Sequence, residues 1–383
     1  MSTRSPHSGG GTDYRLPIII IACVIGVIVA VNVLLPTAPP RPTSLPSAGQ
    51  ENAAEQIAED VISKSTYFTQ SQKQVMFPRA PELAGISGYI NADESISIRK
   101  FVEEGNVVLV DFWTYSCINC QRTTPYLNSW NERYGGKGLV IVGVHTPEFE
   151  FEKDRANVVR NMESLGIKYA VVQDNDYATW RAYDNRYWPR KYIVDIDGFV
   201  RYDHIGEGAY DQTEAVIQDL LMERADRMGE EVAMPDEAPI IAGDTDFSQI
   251  RSPEVYFGYK FARQDLGNAG GFQRESEYEY ELPVEGSWKQ NVPYLGGTWY
   301  QNADSSDLFS DKGEVGLRYS AKKVNIVAGG SGRVTAFVDG EYAGNVTIAG
   351  DTLYNVVSSQ GYGEHSLRLL FEGPVKMYTF TFG

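Results

Sequence analysis

The stretch VDFWTYSCINC, Val110 to Cys120, places two cysteines two residues apart, directly after a run of β-branched and aromatic residues. The letters NVVLVDF are typical of a buried strand. The following CINCQRTTPYLNSWNERYG predicts a helix that Gly135 and Gly136 end. The cysteine pair therefore lies at the carboxyl end of a core strand, where a helix begins. On an open α/β sheet this is the usual place for chemistry.

The segments around this pair alternate between strand-like and helical runs. GLVIVGVH and YAVVQD are apolar enough for buried strands, and EFEKDRANVVRNMESLG has the period of an amphipathic helix. RKYIVDIDGFVRYDHIG predicts a hairpin around Asp197 and Gly198, and TEAVIQDLLMERAD predicts a final helix. This alternation favours an α/β domain with a largely parallel or mixed central sheet.

The 383 residues are too many for one ordinary hydrophobic core, which favours two folded domains. In the last segment, short alternating strands with DG, GG and EGP turns predict an all-β jelly roll or sandwich. The predicted ranges are a cytoplasmic N-terminus at 1–15, a transmembrane anchor at 16–35, a linker at 36–75, the α/β domain at 76–227, an acidic linker at 228–250 and the β domain at 251–383.

The predicted anchor is LPIIIIACVIGVIVAVNVLL, Leu16 to Leu35, which contains no charged residue. As a helix it is long enough for a single membrane crossing. Arg4 and Arg15 precede it, and this positive flank predicts a cytoplasmic N-terminus with both domains outside the cell membrane. A cleaved signal peptide, or a lipoprotein signal ending at Cys23, stays open as an alternative.

Charge and residue counts exclude several classes of function. The formal net charge of −17 argues against nucleic acid or an anionic lipid surface as the main partner. Only two cysteines follow the predicted anchor, which excludes a framework of several disulfides. We expect no metal and no cofactor, because the histidines show no paired ligand spacing. They are His7, His145, His204 and His365.

The position of the cysteine pair indicates redox chemistry. Unpaired backbone N–H groups at a helix N-terminus stabilise a thiolate, so Cys117 is the expected nucleophile toward a disulfide. Cys120 lies one turn further along and is placed to resolve the mixed disulfide. We therefore predict that Cys117 and Cys120 form a redox-active disulfide.

VDFWTYSCINC resembles the thioredoxin superfamily in its order of strand, aspartate, aromatic pair and CxxC. The resemblance implies that Asp111 is a buried acid that assists deprotonation of Cys120. A desolvated carboxylate has a raised pKa and can act as a general base. The alternative, that Asp111 only satisfies backbone groups at a strand end, stays open. Pro125 matches the proline that kinks the active-site helix of the superfamily.

RYWPRKYIVDIDG resembles the segment that carries the cis-proline of the superfamily, which makes Pro189 the candidate. The resemblance implies that the backbone before this proline pairs with a substrate strand. Trp113, Trp188 and Pro189 are therefore expected to bind substrate, with Trp113 mainly setting the shape of the site.

The longer run from VIGVHTPEFEFEKDRANV to AYDNRYWPRKYIVDIDGFVRYDHIGEG is similar to TlpA-like and DipZ-type thiol:disulfide interchange proteins. The last segment, with GTWYQNADS and YTFTFG, resembles the carbohydrate-binding-module-like domain of the DipZ type. The resemblance implies a membrane-anchored, extracytoplasmic oxidoreductase that reduces or isomerises protein disulfides. Its partners would be protein disulfide or dithiol substrates and a separate membrane electron donor of the CcdA/DsbD type. Thr123 stands where several TlpA-like reductants have glutamate, which weakens the narrower assignment to cytochrome c maturation.

Two other functions stay open. A thioredoxin-like peroxidase is suggested by Thr114, three residues before Cys117, although Val110 stands where such enzymes have proline. An envelope ligand-binding or adhesion protein would act through the β domain instead, with an aromatic platform for a glycan or peptide. The candidate platform residues are Trp288, Tyr294, Trp299 and Tyr300.

Three glutamates follow the second buried strand. Glu148, Glu150 and Glu152 alternate with aromatic residues, and we expect them to be solvated, with Glu148 approaching the mouth of the site.

Overall fold

The structure is a computed structural model that describes residues 67–234 and 245–383. The predicted N-terminus at 1–15, the anchor at 16–35 and the linker at 36–75 up to residue 66 lie outside the described residues. Within those two described ranges, no helix combines the length and the apolar character that a membrane crossing requires.

Six strands form the mixed sheet of the first domain: β1 (Gly88–Ile90), β2 (Val107–Trp113), β3 (Leu139–His145), β4 (Ala170–Gln173), β5 (Arg190–Val194) and β6 (Val200–Ile205). Their order is β1-β4-β3-β2-β5-β6. The central strand β2 runs parallel to β3 and antiparallel to β5, and all its residues are buried. Strands β5 and β6 form the predicted hairpin around Gly198. The predicted mixed α/β sheet is therefore confirmed.

The described part of the chain contains six α-helices: α1 (Gln70–Met76), α2 (Ile98–Glu103), α3 (Ile118–Tyr134), α4 (Arg155–Ser164), α5 (Ala178–Ala182) and α6 (Tyr210–Met228). Helix α3 starts directly after the first cysteine and contains Pro125. Gly135 is its C-cap, as the sequence predicts. The predicted buried strand, cysteine pair and helix therefore follow one another as expected.

Helix α1 extends the first domain into the segment that the sequence assigns to the 36–75 linker. The side chain of Lys73 is fully buried, and its Nζ lies 2.8 Å from Asp195 and 2.6 Å from Asp197. It also pairs with Glu223 on α6. Lys73 shares the pairing of these three inward-facing carboxylates with Arg201 and Arg227, and a residue in a free linker makes no such contacts. The folded domain therefore includes residues before Met76.

Eight strands form the second domain: β7 (Val255–Tyr256), β8 (Glu277–Tyr280), β9 (Tyr294–Gln301), β10 (Ser306–Leu308), β11 (Lys312–Val338), β12 (Glu341–Ala349), β13 (Thr352–Glu372) and β14 (Val375–Phe382). Strand β11 pairs with β13 along most of its 27 residues, with shifts of register that let the long strands bend. Asp339 and Gly340, both at positive φ, make the predicted turn between β11 and β12. The all-β prediction is confirmed.

The two domains share a small aromatic core. Phe149, from the loop after β3, is buried together with Tyr256, Val327 and Tyr378 of the β domain. The ring of Phe149 lies 5.2 Å from that of Tyr378. A hydrogen bond of 3.1 Å from Thr352 to Asn161 also joins the domains. The β domain is thereby held beside the carboxyl end of the first sheet.

Candidate active site

The two cysteines differ in their access to solvent. Cys117 is the N-cap residue of α3 and is half-buried, whereas Cys120 is buried. The Sγ atom of Cys117 accepts a hydrogen bond of 3.3 Å from the backbone N–H of Cys120. The structure thus leaves the first sulfur open to a substrate and keeps the second behind it.

Asp111 lies on β2 beneath this pair and is 1% exposed. Burial raises its pKa to about 7, although the charge of Lys191 opposes the shift. One carboxylate oxygen, Oδ1, has no hydrogen-bond partner in the described structure. Burial also raises the pKa of Cys120, and the nearby charges of Cys117 and Asp111 raise it further. Asp111 therefore meets the electrostatic requirements of a general base near Cys120.

Lys191 is a site residue that sequence reasoning missed. It pairs in register with Asp111 across β5 and β2, and its Nζ donates a hydrogen bond of 3.1 Å to Gly206 O. Burial lowers the pKa of this fully buried lysine. The signal in the sequence was a lysine within a predicted strand, beside Arg190 and two residues after Pro189. The register that sets it opposite Asp111 cannot be read from the sequence.

The predicted proline segment lies at the mouth of the site. The bond between Trp188 and Pro189 is cis. Trp188 is half-buried, and its indole N–H donates a hydrogen bond of 3.0 Å to Thr146 O. Trp113, in contrast, is 2% exposed and packs in the core. Because it is buried, Trp113 cannot make the expected contact with substrate and supports the site from within the core.

The expectation that all three glutamates after β3 are solvated is wrong for Glu152, which is fully buried. Its carboxylate accepts hydrogen bonds from Ser116 Oγ at 2.6 Å and from the backbone N–H groups of Glu148 and Phe149, at 2.5 and 3.0 Å. Ser116 precedes Cys117, so Glu152 ties the loop after β3 to the start of the active-site helix. Glu150 is exposed, as expected.

A cavity of about 310 Å³ opens above Cys117 between the two domains. Glu148 and Trp188 line it from the first domain, and Glu254 and Tyr256 line it from the second. The prediction that Glu148 approaches the mouth of the site is confirmed. The two β-domain residues gave no signal in the sequence, because they lie more than 130 positions after the CxxC motif and join it only through the domain interface.

The aromatic platform expected on the β domain does not form an open surface. Trp288, Tyr294 and Trp299 are between 0% and 3% exposed, and Tyr300 is half-buried. They pack the interior of the domain, which is the ordinary role of such residues.

Thr114, the basis for the peroxidase alternative, is also buried. Its hydroxyl lies 3.3 Å from Nε2 of His145, whose pKa burial lowers to about 3. His145 is therefore neutral at neutral pH.

Comparisons with known proteins agree with this architecture. Residues 79–203 match the family model described as AhpC/TSA family, and residues 252–383 match the model described as thioredoxin like C-terminal domain. Protein DipZ of Mycobacterium tuberculosis (strain CDC 1551 / Oshkosh) is 37% identical over 308 residues, which cover 79% of this chain and 43% of DipZ. The chain thus spans less than half the length of that relative.

Shorter relatives match the first domain. The thiol-disulfide oxidoreductase YkuV of Bacillus subtilis (strain 168) is 27% identical over 143 residues, which cover 37% of this chain and 94% of YkuV. A solution structure of a thioredoxin-like protein in the oxidised form aligns with 39% of this chain and 97% of its own, at 25% identity and a TM-score of 0.34. The family models and the curated relatives agree with the CxxC at the end of a core strand: the chain carries a thioredoxin-like domain of the AhpC/TSA family followed by a thioredoxin like C-terminal domain, and it is similar to DipZ and to thiol-disulfide oxidoreductases.

Proposed function

We propose that this chain is a membrane-anchored, extracytoplasmic thiol:disulfide oxidoreductase that reduces or isomerises protein disulfides. The observation that carries the proposal is the asymmetry of the cysteine pair. Cys117 is half-buried at a cavity mouth, while Cys120 is buried near a carboxyl group of raised pKa. An attacking and a resolving thiol need these two environments.

The chemistry proceeds in two exchanges. The Cys117 thiolate attacks one sulfur of a substrate disulfide, whose S–S bond breaks as a mixed disulfide forms, and the other substrate sulfur leaves as a thiolate. Cys120 then gives its proton to Asp111 and attacks the Cys117 sulfur, which releases the second substrate thiol. The substrate gains two electrons, and the protein is left with a Cys117–Cys120 disulfide.

The backbone beside Pro189 and the side chain of Trp188 are the proposed surface for a substrate strand. Trp188 lines the same cavity as Cys117, which supports this role. An extended peptide that pairs with exposed backbone groups gains affinity from main-chain hydrogen bonds. The proposed substrates are therefore protein segments that present a disulfide in extended conformation.

The anchor, the localisation and the electron donor are proposals that depend on the sequence. The uncharged run at 16–35 supports one membrane crossing. A dithiol enzyme that reduces disulfides must be reduced again, and the resemblance to DipZ-type proteins favours a separate membrane donor of the CcdA/DsbD type. Reduction of the purified chain by such a donor in vesicles, followed with a thiol-specific probe, tests this partner.

The reduction potential of the Cys117–Cys120 couple tests the proposed function directly. Equilibration with glutathione or dithiothreitol should show one reversible two-electron couple, which Cys117→Ser abolishes. A value near about −270 mV indicates a reductase, and a value near about −120 mV indicates a disulfide donor. The absence of any reversible couple would contradict the proposal.

A peroxidase is the second candidate, which the match to the AhpC/TSA family favours. A peroxidase would oxidise Cys117 rapidly with hydrogen peroxide and form a sulfenic acid. Trapping this species with a sulfenic-acid reagent, at peroxide concentrations that leave free cysteine unchanged, distinguishes the two activities.

A further inference from the structure

A shared hydrogen-bond cluster lies across the domain interface beside Cys117. The phenol oxygen of Tyr256 is 2.7 Å from Oε1 of Glu148 and 3.1 Å from Oε2 of Glu254. Glu148 belongs to the loop after β3, whereas Glu254 and Tyr256 belong to the β domain at the start of β7. All three residues line the 310 Å³ cavity that also contains Cys117.

The number of hydrogens in this cluster limits its protonation state. A phenol carries one hydrogen and makes one linear hydrogen bond with it. The contact with the other glutamate becomes a second full hydrogen bond when that carboxyl group is protonated and donates to the phenol oxygen. The geometry therefore suits one exchangeable proton on the two carboxyl groups in addition to the hydrogen of Tyr256.

The surroundings hold this proton near neutral pH. Burial and the charge of Glu254 raise the pKa of Glu148 to about 8, and the charge of Glu152 adds to the shift. Burial also raises the pKa of Glu254. The hydrogen bond from Tyr256 and the charge of Arg263 oppose both shifts. The other ionisable groups that face the cluster are Arg186, Cys117 and Tyr177.

We propose that the Glu148–Tyr256–Glu254 cluster is the proton donor for the substrate sulfur that leaves when Cys117 attacks a disulfide. This inference rests on the proposed function and adds a catalytic acid to it. As the substrate S–S bond breaks, the leaving sulfur keeps the bonding electron pair and takes the shared proton from the carboxyl pair. The pair then carries two negative charges, and it regains a proton from water after the thiol departs.

The sulfur that leaves a substrate disulfide needs a proton at neutral pH. An alkyl thiol has a pKa of about 8.5, so its thiolate is a poor leaving group at neutral pH. An acid with a similar pKa in the same cavity is well matched to protonate it, and such catalysis is worth about 10² to 10⁴ in rate. Asp111 cannot do this, because it is buried on β2 near the second cysteine and does not line this cavity.

The test compares two disulfides whose leaving groups differ in basicity. The full chain carrying Cys120→Ser stops at the mixed disulfide, so stopped-flow mixing measures only the first exchange. Oxidised glutathione releases an alkyl thiolate that needs a proton, whereas DTNB releases an acidic aromatic thiolate that does not. Glu148→Gln and Tyr256→Phe should slow the reaction with oxidised glutathione at least about 10-fold and change that with DTNB less than about 2-fold.

The matched control is Glu150→Gln, on the same loop, since Glu150 is exposed and pairs only with Lys153 in the described structure. It should leave both rates unchanged. In the parent chain, the ratio of the glutathione rate to the DTNB rate should fall above pH about 8, and Glu148→Gln should remove this fall.

The remaining outcomes separate this proposal from the proposed function. Equal slowing with both probes would mean that the cluster only shapes the cavity, and no slowing would mean that it donates no proton. Either result overturns the proposal while the exchange activity stands. A parent chain that reacts with neither probe overturns the proposed function itself. Glu254→Gln gives an independent check from the second domain, with thermal unfolding to confirm that each variant folds.

Discussion

Asp111 and Lys191 face each other across strands β2 and β5, and both side chains are almost completely shielded from water, at 1% and 0% exposure. Burial pushes the pKa of Asp111 up and that of Lys191 down, while the two opposite charges counteract both shifts. The pair therefore keeps the pKa of Asp111 near 7, so that its carboxyl group can both accept and release a proton at neutral pH.

Asp111→Asn should slow the step in which Cys120 resolves the mixed disulfide by about 100-fold, because it removes the general base. With Asp111 present, this rate should rise with pH up to about 7, where the carboxylate becomes available, and then level off. Stopped-flow release of the substrate thiol measures the step. The exposed Asp176→Asn is the control, and an unchanged inflection near pH 7 in Asp111→Asn would show that another group titrates.

The same substitution should stabilise the protein at neutral and higher pH. The pKa of Asp111 is about 7 in the folded state against 3.8 for the ordinary group, so the folded protein holds a proton that the unfolded chain releases. Stability therefore falls as pH rises from about 4 to about 7, by about 4 kcal/mol in total. Urea unfolding of the reduced chain should show that the free energy of unfolding of Asp111→Asn, relative to that of the wild type, increases as the pH rises across this range. A constant difference would contradict the shifted pKa.

Lys191→Met should move the inflection assigned to Asp111 to higher pH. The substitution removes the charge that lowers the pKa of Asp111, and it leaves burial unopposed. The methionine keeps a similar length in a buried position. The pH profile of Cys120 resolution measures the shift, with the exposed Lys168→Met as control. An unmoved inflection would mean that Lys191 and Asp111 are not electrostatically coupled.

Lys73→Met should destabilise the first domain by about 3 to 5 kcal/mol, because it removes the one fully buried cation of the carboxylate cluster and leaves only Arg201 and Arg227 to balance it. The loss should shrink in acid. Burial raises the pKa of Asp197, but hydrogen bonds from Arg227 and Lys73 outweigh burial and lower it. The stability that ionised Asp197 contributes is therefore present above pH about 4 and is lost as the pH falls further. Urea unfolding at pH 7 and pH 3 measures this difference.

The exposed Lys100→Met is the control for that series. Equal stability of Lys73→Met and the wild type at pH 7 would show that the ion pairs contribute nothing. A fragment that begins at residue 76 should resemble Lys73→Met, since it lacks the same ammonium group.

Local sequence patterns predicted the parts of the site that are close together in the chain. The run of apolar residues from Val107 fixed β2 as a buried strand, and the spacing of the two cysteines put Cys117 at the start of a helix. The Asp-Gly pairs at residues 197–198 and 339–340 predicted the β5–β6 and β11–β12 hairpins, because a tight turn has a strong local sequence signal.

The features that sequence reasoning missed depend on contacts between distant segments. Lys191 meets Asp111 through strand register, and Tyr256 meets Glu148 through the domain interface. Glu152 looked solvated because a charged residue in a loop usually is, and only the donors around it explain its burial. Tertiary packing, which no local pattern encodes, decides each of these cases.

The position of the β domain in the chain has a consequence for the order of assembly. Synthesis runs from the N-terminus, so the segment with Cys117 and Cys120 is made more than 130 residues before Tyr256. Domains generally fold as units during synthesis, N-terminal ones first. A newly made first domain therefore carries its cysteine pair with one wall of the cavity missing and with Phe149 uncovered. The cavity above Cys117 is complete only after the final third of the protein has been made and has folded against it.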